Sequence, residues 1–370
     1  MFLKFQLIRT EVVLNVNNEE YNQDDYNDIR TKLNDTKSKL DIIPSEIYRK
    51  ISSELDYYTT LKHYLRKHFN LQIVTNATLK LYEILEQFPF IRKNTNTFNV
   101  FCNAELPGGF IVAINHYIKT KHPIVEFDWI ANSYLSDNTL SDIYEIYKKN
   151  KNKWLMNDTM NGDITSVDNI MYIKDTVKSI FRKGIDLYTS DIGIDVSSDY
   201  NSQEEQTLLL NYCQVLCGLL TLRTKGCMVT KQFTYFTSFN TSLLILLSSL
   251  FKQVYITKPA TSRPFNSEIY VVCIDYIGMS DNMSNYLLSR VTNVQPNVPL
   301  VLYQTPSYLQ LIAHIIYSQQ IEEIEKLISM YNNSQKLSIT SKDKQQKQDE
   351  WVKMNKILVI KSSDHIPYKK

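Results

Sequence analysis

Between about residues 70 and 276, short β-rich runs alternate with longer stretches in which apolar positions recur every three or four residues. Six such runs stand out, at residues 97–102, 126–131, 185–189, 226–231, 253–257 and 268–275. Strands separated by helical crossovers predict an α/β fold built on a mainly parallel, doubly wound sheet. The stretch 203–222 (QEEQTLLLNYCQVLCGLLTL) is apolar on most sides and is expected to lie as a helix against that sheet. Ahead of the sheet, residues 17–28 (NNEEYNQDDYND) are acidic and poor in apolar groups, which predicts a solvated loop or helix entry. Residues 29–69 carry helical spacing, with Pro44 and Ser45 marking a break and a new start. Beyond Gly278 a Leu and Ile stripe over 308–331 predicts another helix, residues 334–350 read as an exposed connection or flexible helix end, and an apolar run over 351–360 is expected to return to the body. The chain thus divides into an N-terminal helical region (1–69), an α/β domain (70–276) and a C-terminal helical region (277–370).

Composition narrows the function classes. A chain of 370 residues can bury a substantial core without disulfides or structural metals. Its 41 Lys and Arg against 39 Asp and Glu leave a net charge of +2, which excludes a basic body that coats nucleic acid through bulk charge. Any nucleic-acid contact must be a local patch. Five cysteines, an odd number without a CxxC pair, lie mostly in apolar runs, as reduced intracellular thiols do. Cys213 and Cys217 share the apolar helix and are expected in the core. The six histidines form no HExxH, and the five-residue step from His63 to His68 does not align two ligands on a helix, so no metal is expected. The longest apolar stretch, 239–251, is too short to cross a bilayer, and the first residues lack the cleavage site of a secretory signal, so a cytoplasmic protein without a membrane partner is expected.

Five local features could carry chemistry. ELPGGF, with Glu105, Pro107, Gly108 and Gly109, follows a predicted strand and precedes a helix. Paired glycines there let a ligand approach the backbone, and the helix N-terminus favours an anion, although such pairs also serve plain turns. NGDIT offers Asp163 as an acceptor for an exocyclic amine, or is a turn only. Asp191 follows the strand 185–189, at the strand end where doubly wound folds bind ligands. Lys231 ends the run CMVTKQF; alone it would read as a solvated charge with its stem on apolar surface. Glu268 enters a strand after the proline-bounded loop KPATSRPFNSE, where a solvated carboxylate is the ordinary expectation. Neither GxGxxG nor GxxxxGK[ST] occurs, so nicotinamide cofactors and nucleotide hydrolysis lack their usual support.

In this order and spacing, ELPGGF, NGDIT, Asp191, Lys231 and the KPATSRPFNSE segment resemble the FtsJ-like RNA 2′-O-methyltransferases. The string KPxxSRPxNSExYxV is similar to that of the cap-specific mRNA (nucleoside-2′-O-)methyltransferase branch. VTNATLK at 74–80, WLM at 154–156 and the surroundings of Trp351 resemble the FtsJ-like methyltransferases of asfarvirus-type large DNA viruses. The likeness extends over residues 71–275 and more loosely over both flanks.

The resemblance implies a Rossmann-like S-adenosylmethionine-dependent sheet and a catalytic tetrad of Lys80, Asp191, Lys231 and Glu268. Pro107, Gly108 and Gly109, with Glu105 as the nearest carboxylate, would line the methionine end of S-adenosyl-L-methionine; Asp163 would meet the adenine, and Asp191 would border the cofactor. Lys258, Ser262 and Arg263 would lie beside the RNA, where an Arg can hold a phosphate through two bonds. The implied activity is methylation of the ribose 2′-oxygen of the first transcribed nucleotide of capped mRNA, cap 0 to cap 1. Its expected setting is a viral capping or transcription machinery in the host cytoplasm or the virion. Methyl transfer to a hydroxyl is an in-line displacement in which the protein aligns the oxygen and removes its proton. Lys231 is the base candidate; a free Lys is protonated at neutral pH, and Lys80 would supply the like charge that makes it available. Two positions depart from the family pattern: Cys102 stands where an acid is common, and Ile192 replaces the first Gly after the catalytic Asp. These motivate a non-catalytic RNA-binding or scaffold subunit as the alternative, beside an rRNA or tRNA ribose methyltransferase.

Overall fold

All six predicted strands form, five of them lengthened by one to five residues and the sixth shifted by one, and three short ones join them. A computed structural model describes residues 1–135, 142–156, 160–193, 201–333 and 339–369. In chain order the strands are β1 (Leu3–Gln6), β2 (Val13–Leu14), β3 (Thr97–Asn103), β4 (Glu126–Asn132), β5 (Ile185–Ser190), β6 (Leu222–Gln232), β7 (Phe251–Lys258), β8 (Ile269–Tyr276) and β9 (Val301–Leu302). Seven make one sheet in the order β1-β7-β8-β6-β5-β3-β4, while β2 and β9 pair separately. The run β4-β3-β5-β6 is parallel; β8 is reversed between β6 and β7, and β1 runs antiparallel along β7. The expected mainly parallel sheet is therefore a mixed one.

Alternation along the central strands separates two cores. Phe101, Tyr188, Met228, Val271 and Cys273 point to one face, with the helices Val167–Ile180, Leu208–Thr221 and Ser238–Leu250. Val100, Cys102, Leu187, Val229 and Val272 point to the other, with the helices Leu61–Phe69, Asn76–Gln87 and Gly109–Lys121. Because side chains on a strand alternate faces, strands covered on both sides read as unbroken apolar runs, and this is why they were legible. All five cysteines are buried and free, Cys213 and Cys217 within the first core.

The flanks are less separate than their sequence suggests. β1 extends the main sheet, and Tyr26, Ile29 and Leu33 share a core with Leu309, Ile312 and Ile316 and with the sheet itself. Four residues pairing with a strand 250 positions away leave too short a local pattern to separate from a helical surrounding. Helices form at Asn27–Ser38, Ser45–Glu54 and Leu61–Phe69, the second directly after Pro44, and at Ser307–Asn333 over the Leu and Ile stripe. The expected connection at 334–350 is largely the helix Ser341–Asn355, opened by a capping box between Thr340 and Asp343; residues 334–338 lie outside the described part. Only Gln348, Trp351 and Asn355 of that helix are buried, too narrow a stripe for the polar sequence to announce. No helix among the described residues is long and apolar enough to cross a membrane.

Candidate active site

The parallel strands deliver their C-terminal ends to one side of the sheet. Asp191 follows the last residue of β5, and the register Ser190 to Thr230 sets Lys231 of β6 beside it. In the antiparallel pair, Lys231 faces Tyr270 of β8, and Glu268 lies two residues before Tyr270, so these side chains share one face. Lys80 arrives on the helix Asn76–Gln87, whose start is held by reciprocal bonds between Thr75 and Thr78.

The fold brings Lys80, Asp191, Lys231 and Glu268 together. Lys80 Nζ lies 2.5 Å from Glu268 Oε1, with both side chains almost wholly buried. Lys231 Nζ donates to the Asp191 carbonyl at 3.0 Å and is 3.3 Å from its carboxylate Oδ1. Burial alone would raise the Glu268 carboxyl, but the Lys80 and Lys231 cations, the bond from Lys80 and the nearby Lys258 hold it at about 2. Two ammonium groups and two carboxylates thus balance in charge beside a cavity of about 930 Å³, whose lining includes Lys80, Asp191 and Lys231.

Two supporting groups escaped the sequence. The buried Tyr270 hydroxyl donates to Asp191 Oδ1 at 2.8 Å and fixes that carboxylate against Lys231. Glu83, one turn after Lys80, is buried and accepts from the amides of Ala260 and Thr261 at 2.6 and 3.0 Å and from Trp351 Nε1 at 2.9 Å. It ties the helix of Lys80 to the loop that leads into Glu268. Burial pushes the Glu83 carboxyl up against these three donors. The Tyr two residues after Glu268 was a readable clue; a carboxylate and a Trp separated by 268 positions offered none.

Three expectations need correction. Lys258 does not point outward: it is buried, donating to the carbonyls of Asn266 at 2.7 Å and Glu268 at 2.9 Å, and burial pulls its ammonium down to about 8 while Glu268 opposes that fall. Ser262 is buried too, and its hydroxyl donates to Glu268 Oε1 at 2.7 Å. Both brace the loop, because a buried ammonium or hydroxyl must find acceptors and the folded loop supplies them. Arg263 alone of the three is exposed. The helix behind the glycines is also not open to an anion: Glu105 Oε1 accepts from the amides of Phe110 and Ile111 at 2.9 and 3.0 Å. Burial raises the Glu105 carboxyl to about 8 in spite of these bonds.

The glycine loop still shapes the cavity. Gly108 adopts φ +103°, and a Cβ there would sit 2.7 Å from Ile146 Cδ1, so its open side faces the protein; Pro107 and Gly109 line the cavity. A Cβ on Gly193 would come within 3.0 Å of Lys231 Nζ, so the retained glycine keeps room for that ammonium. Asp163 and Ile164 also line it, and one Asp163 oxygen accepts from the amide and hydroxyl of Thr165 at 2.9 and 2.8 Å. The cavity is within the usual range of small-ligand sites. Its mixture of apolar wall and the carboxylates of Asp163 and Asp191 fits a cationic sulfonium nucleoside such as S-adenosylmethionine. No group of three or more His, Cys, Asp or Glu side chains able to hold a metal occurs among the described residues.

Comparison with known proteins bears on the family. The sequence profile of the FtsJ-like methyltransferases matches residues 73–276. An African swine fever virus protein described as "Probable methyltransferase EP424R" is 38% identical over 357 residues, covering 89% of this chain and 82% of that one. The "Cap-specific mRNA (nucleoside-2'-O-)-methyltransferase 2" of Drosophila melanogaster is 30% identical over 284 residues, 74% of this chain and 40% of that longer protein. An Acanthamoeba polyphaga mimivirus protein, L511, is 31% identical over 330 residues, 85% of this chain and 41% of its own. A profile matching more than half of the chain and a relative of this identity, matched over most of its length, establish that the chain belongs to the FtsJ-like methyltransferase family, whose methyl donor is S-adenosylmethionine.

Proposed function

We propose that this chain methylates the ribose 2′-oxygen of the first transcribed nucleotide of capped mRNA, with Lys231 as the base within the Lys80, Asp191, Lys231 and Glu268 tetrad. The observation that carries this is the convergence of two ion pairs, Lys80 with Glu268 and Lys231 with Asp191, of which Lys80, Asp191 and Lys231 line one cavity. S-adenosylmethionine supplies the methyl group. Pro107 and Gly109 would border its methionine end, with Gly108 setting the turn; Asp163 would meet the adenine, and Asp191 would lie between cofactor and ribose. Lys231 Nζ takes the proton of the 2′-hydroxyl, and Asp191, aligned by Tyr270, orients that ammonium through the 3.3 Å contact. Lys80, held 2.5 Å from Glu268, completes the tetrad beside that pair. Arg263, exposed at the loop, is the phosphate contact that remains from the expected three. The specificity for a cap draws its support from the similarity to cap-specific relatives, which are longer than this chain.

Transfer of labelled methyl from S-adenosylmethionine to capped and uncapped transcripts of one sequence tests the proposal. Preference for the capped transcript is expected, and Lys231→Ala should lower transfer at least about a hundredfold while cofactor affinity in calorimetry stays within a factor of about two. Equal rates on both transcripts would point to an internal ribose in rRNA or tRNA. Cofactor binding without any transfer would favour a scaffold subunit.

A further inference from the structure

We infer that Lys62 and Arg66, on the helix Leu61–Phe69 ahead of the family domain, form with Arg263 a phosphate-binding patch that runs outward from the cavity wall at Lys62 and grips the RNA substrate. The inference rests on RNA being the substrate. Lys62 lines the same cavity as Lys80 and Lys231, although it precedes the region that the family profile matches. Arg66 lies one turn further along the same helical face and is exposed, as is Arg263. Burial draws the Lys62 ammonium down; Asp56 opposes this, and the charges of Arg263, Lys80 and Arg66 add to it. Asp56 is already engaged, accepting from the Tyr58 amide at 2.8 Å. None of the three basic residues has a carboxylate within ion-pair distance among the described residues, and the helix LKHYLRKHF carries no acid of its own.

The patch is held in place from beneath. Leu61 and Leu65 are fully buried in the second core, and the Thr60 hydroxyl donates to Gln348 Oε1 of the C-terminal helix at 3.3 Å. In a chain of net charge +2, Lys62 on the cavity wall, with Arg66 one turn on and Arg263 near enough to act on it, is a local excess of positive charge that the one carboxylate of Asp56 does not balance and that an anion would relieve. A phosphate answers this chemistry, either in the triphosphate bridge of a cap or in the downstream RNA backbone.

The test measures the affinity of the full chain, by fluorescence anisotropy, for a capped dinucleotide and for an uncapped twelve-nucleotide RNA at several salt concentrations. Lys62→Ala with Arg66→Ala should flatten the slope of log affinity against log salt by about 1.4 for the RNA, at about 0.7 per phosphate contact. Between 50 and 200 mM salt that amounts to an affinity loss about sevenfold smaller than in the unaltered chain. Loss of dinucleotide affinity as well assigns the patch to the triphosphate; loss for the longer RNA alone assigns it to the backbone. Lys62→Arg with Arg66→Lys should keep the slope, as should Lys178→Ala, on an exposed position near the end of Val167–Ile180 away from the cavity. The melting temperature of each variant, measured by calorimetry, should not change and thereby reports the fold. An unaltered slope in the double variant overturns the patch and leaves the proposed activity standing. If the unaltered chain binds cofactor but neither RNA, the patch and the RNA substrate fall together.

Discussion

Replacing Glu268 with Gln keeps the size of the side chain but removes the carboxylate on which Lys80 rests at 2.5 Å and to which Ser262 donates at 2.7 Å. A carboxyl held at about 2 instead of its ordinary 4.5 is worth about 3 kcal/mol, at about 1.4 kcal/mol per decade of proton affinity. That stabilisation is fully present above about pH 4.5, where the unfolded chain is already ionised, and is lost as the pH falls through about 2. At neutral pH the Glu268→Gln chain should therefore melt about 6 °C lower, at about 2 °C per kcal/mol for a domain of this size. The gap between the two proteins should shrink to less than half by pH 3. Combining Glu268→Gln with Lys80→Met in a double-mutant cycle, read by denaturant unfolding at pH 7, should give a coupling of about 3 kcal/mol, because each single change strands a buried partner. A gap that stays constant from pH 7 to 3, or a coupling below about 0.5 kcal/mol, would refute the account of this pair as a charge-stabilised unit.

Two further substitutions probe the frame around the tetrad. Glu105→Gln should stabilise the chain increasingly as the pH rises from 5 to 8.5: the folded carboxyl keeps its proton up to about 8, so the unaltered protein loses stability across that window, by at most about 5 kcal/mol. A pH-independent difference in denaturation midpoint would count against burial as the cause. Trp351→Phe removes one donor from the buried Glu83 carboxylate and should cost about 2 kcal/mol. Hydrogen exchange at the Ala260 and Thr261 amides, which bond the same carboxylate, should then accelerate, and unchanged protection there would separate the Trp from the loop.

Much of the fold was present in the local pattern. The central strands are covered on both faces, so Val100 and Phe101, or Val271 and Val272, read as unbroken apolar runs, and the helices that cover them repeat at three and four. Asp191 and Lys231 were legible because each sits at the end of such a run, and Lys80 and Glu268 because a motif marks them. What the local pattern could not hold is direction and partnership. The reversal of β8, the addition of β1 to the edge and the pairing of β2 with β9 all depend on backbone bonds between distant segments.

The amino-acid order by itself determined the kinds of element, the strand ends that carry acids and bases, and the family to which their spacing belongs. Only the tertiary structure decided which charges face the cavity. Lys258 and Ser262 look like a surface pair in a proline-rich loop, yet they turn inward because Glu268 and the loop carbonyls offer acceptors there. Lys62 looks like a solvated helix charge, yet it stands at the cavity rim because Leu61 and Leu65 are anchored in the core below it. Periodicity reports whether a residue meets water or protein, whereas the identity of the protein group it meets is settled when segments hundreds of residues apart pack against each other.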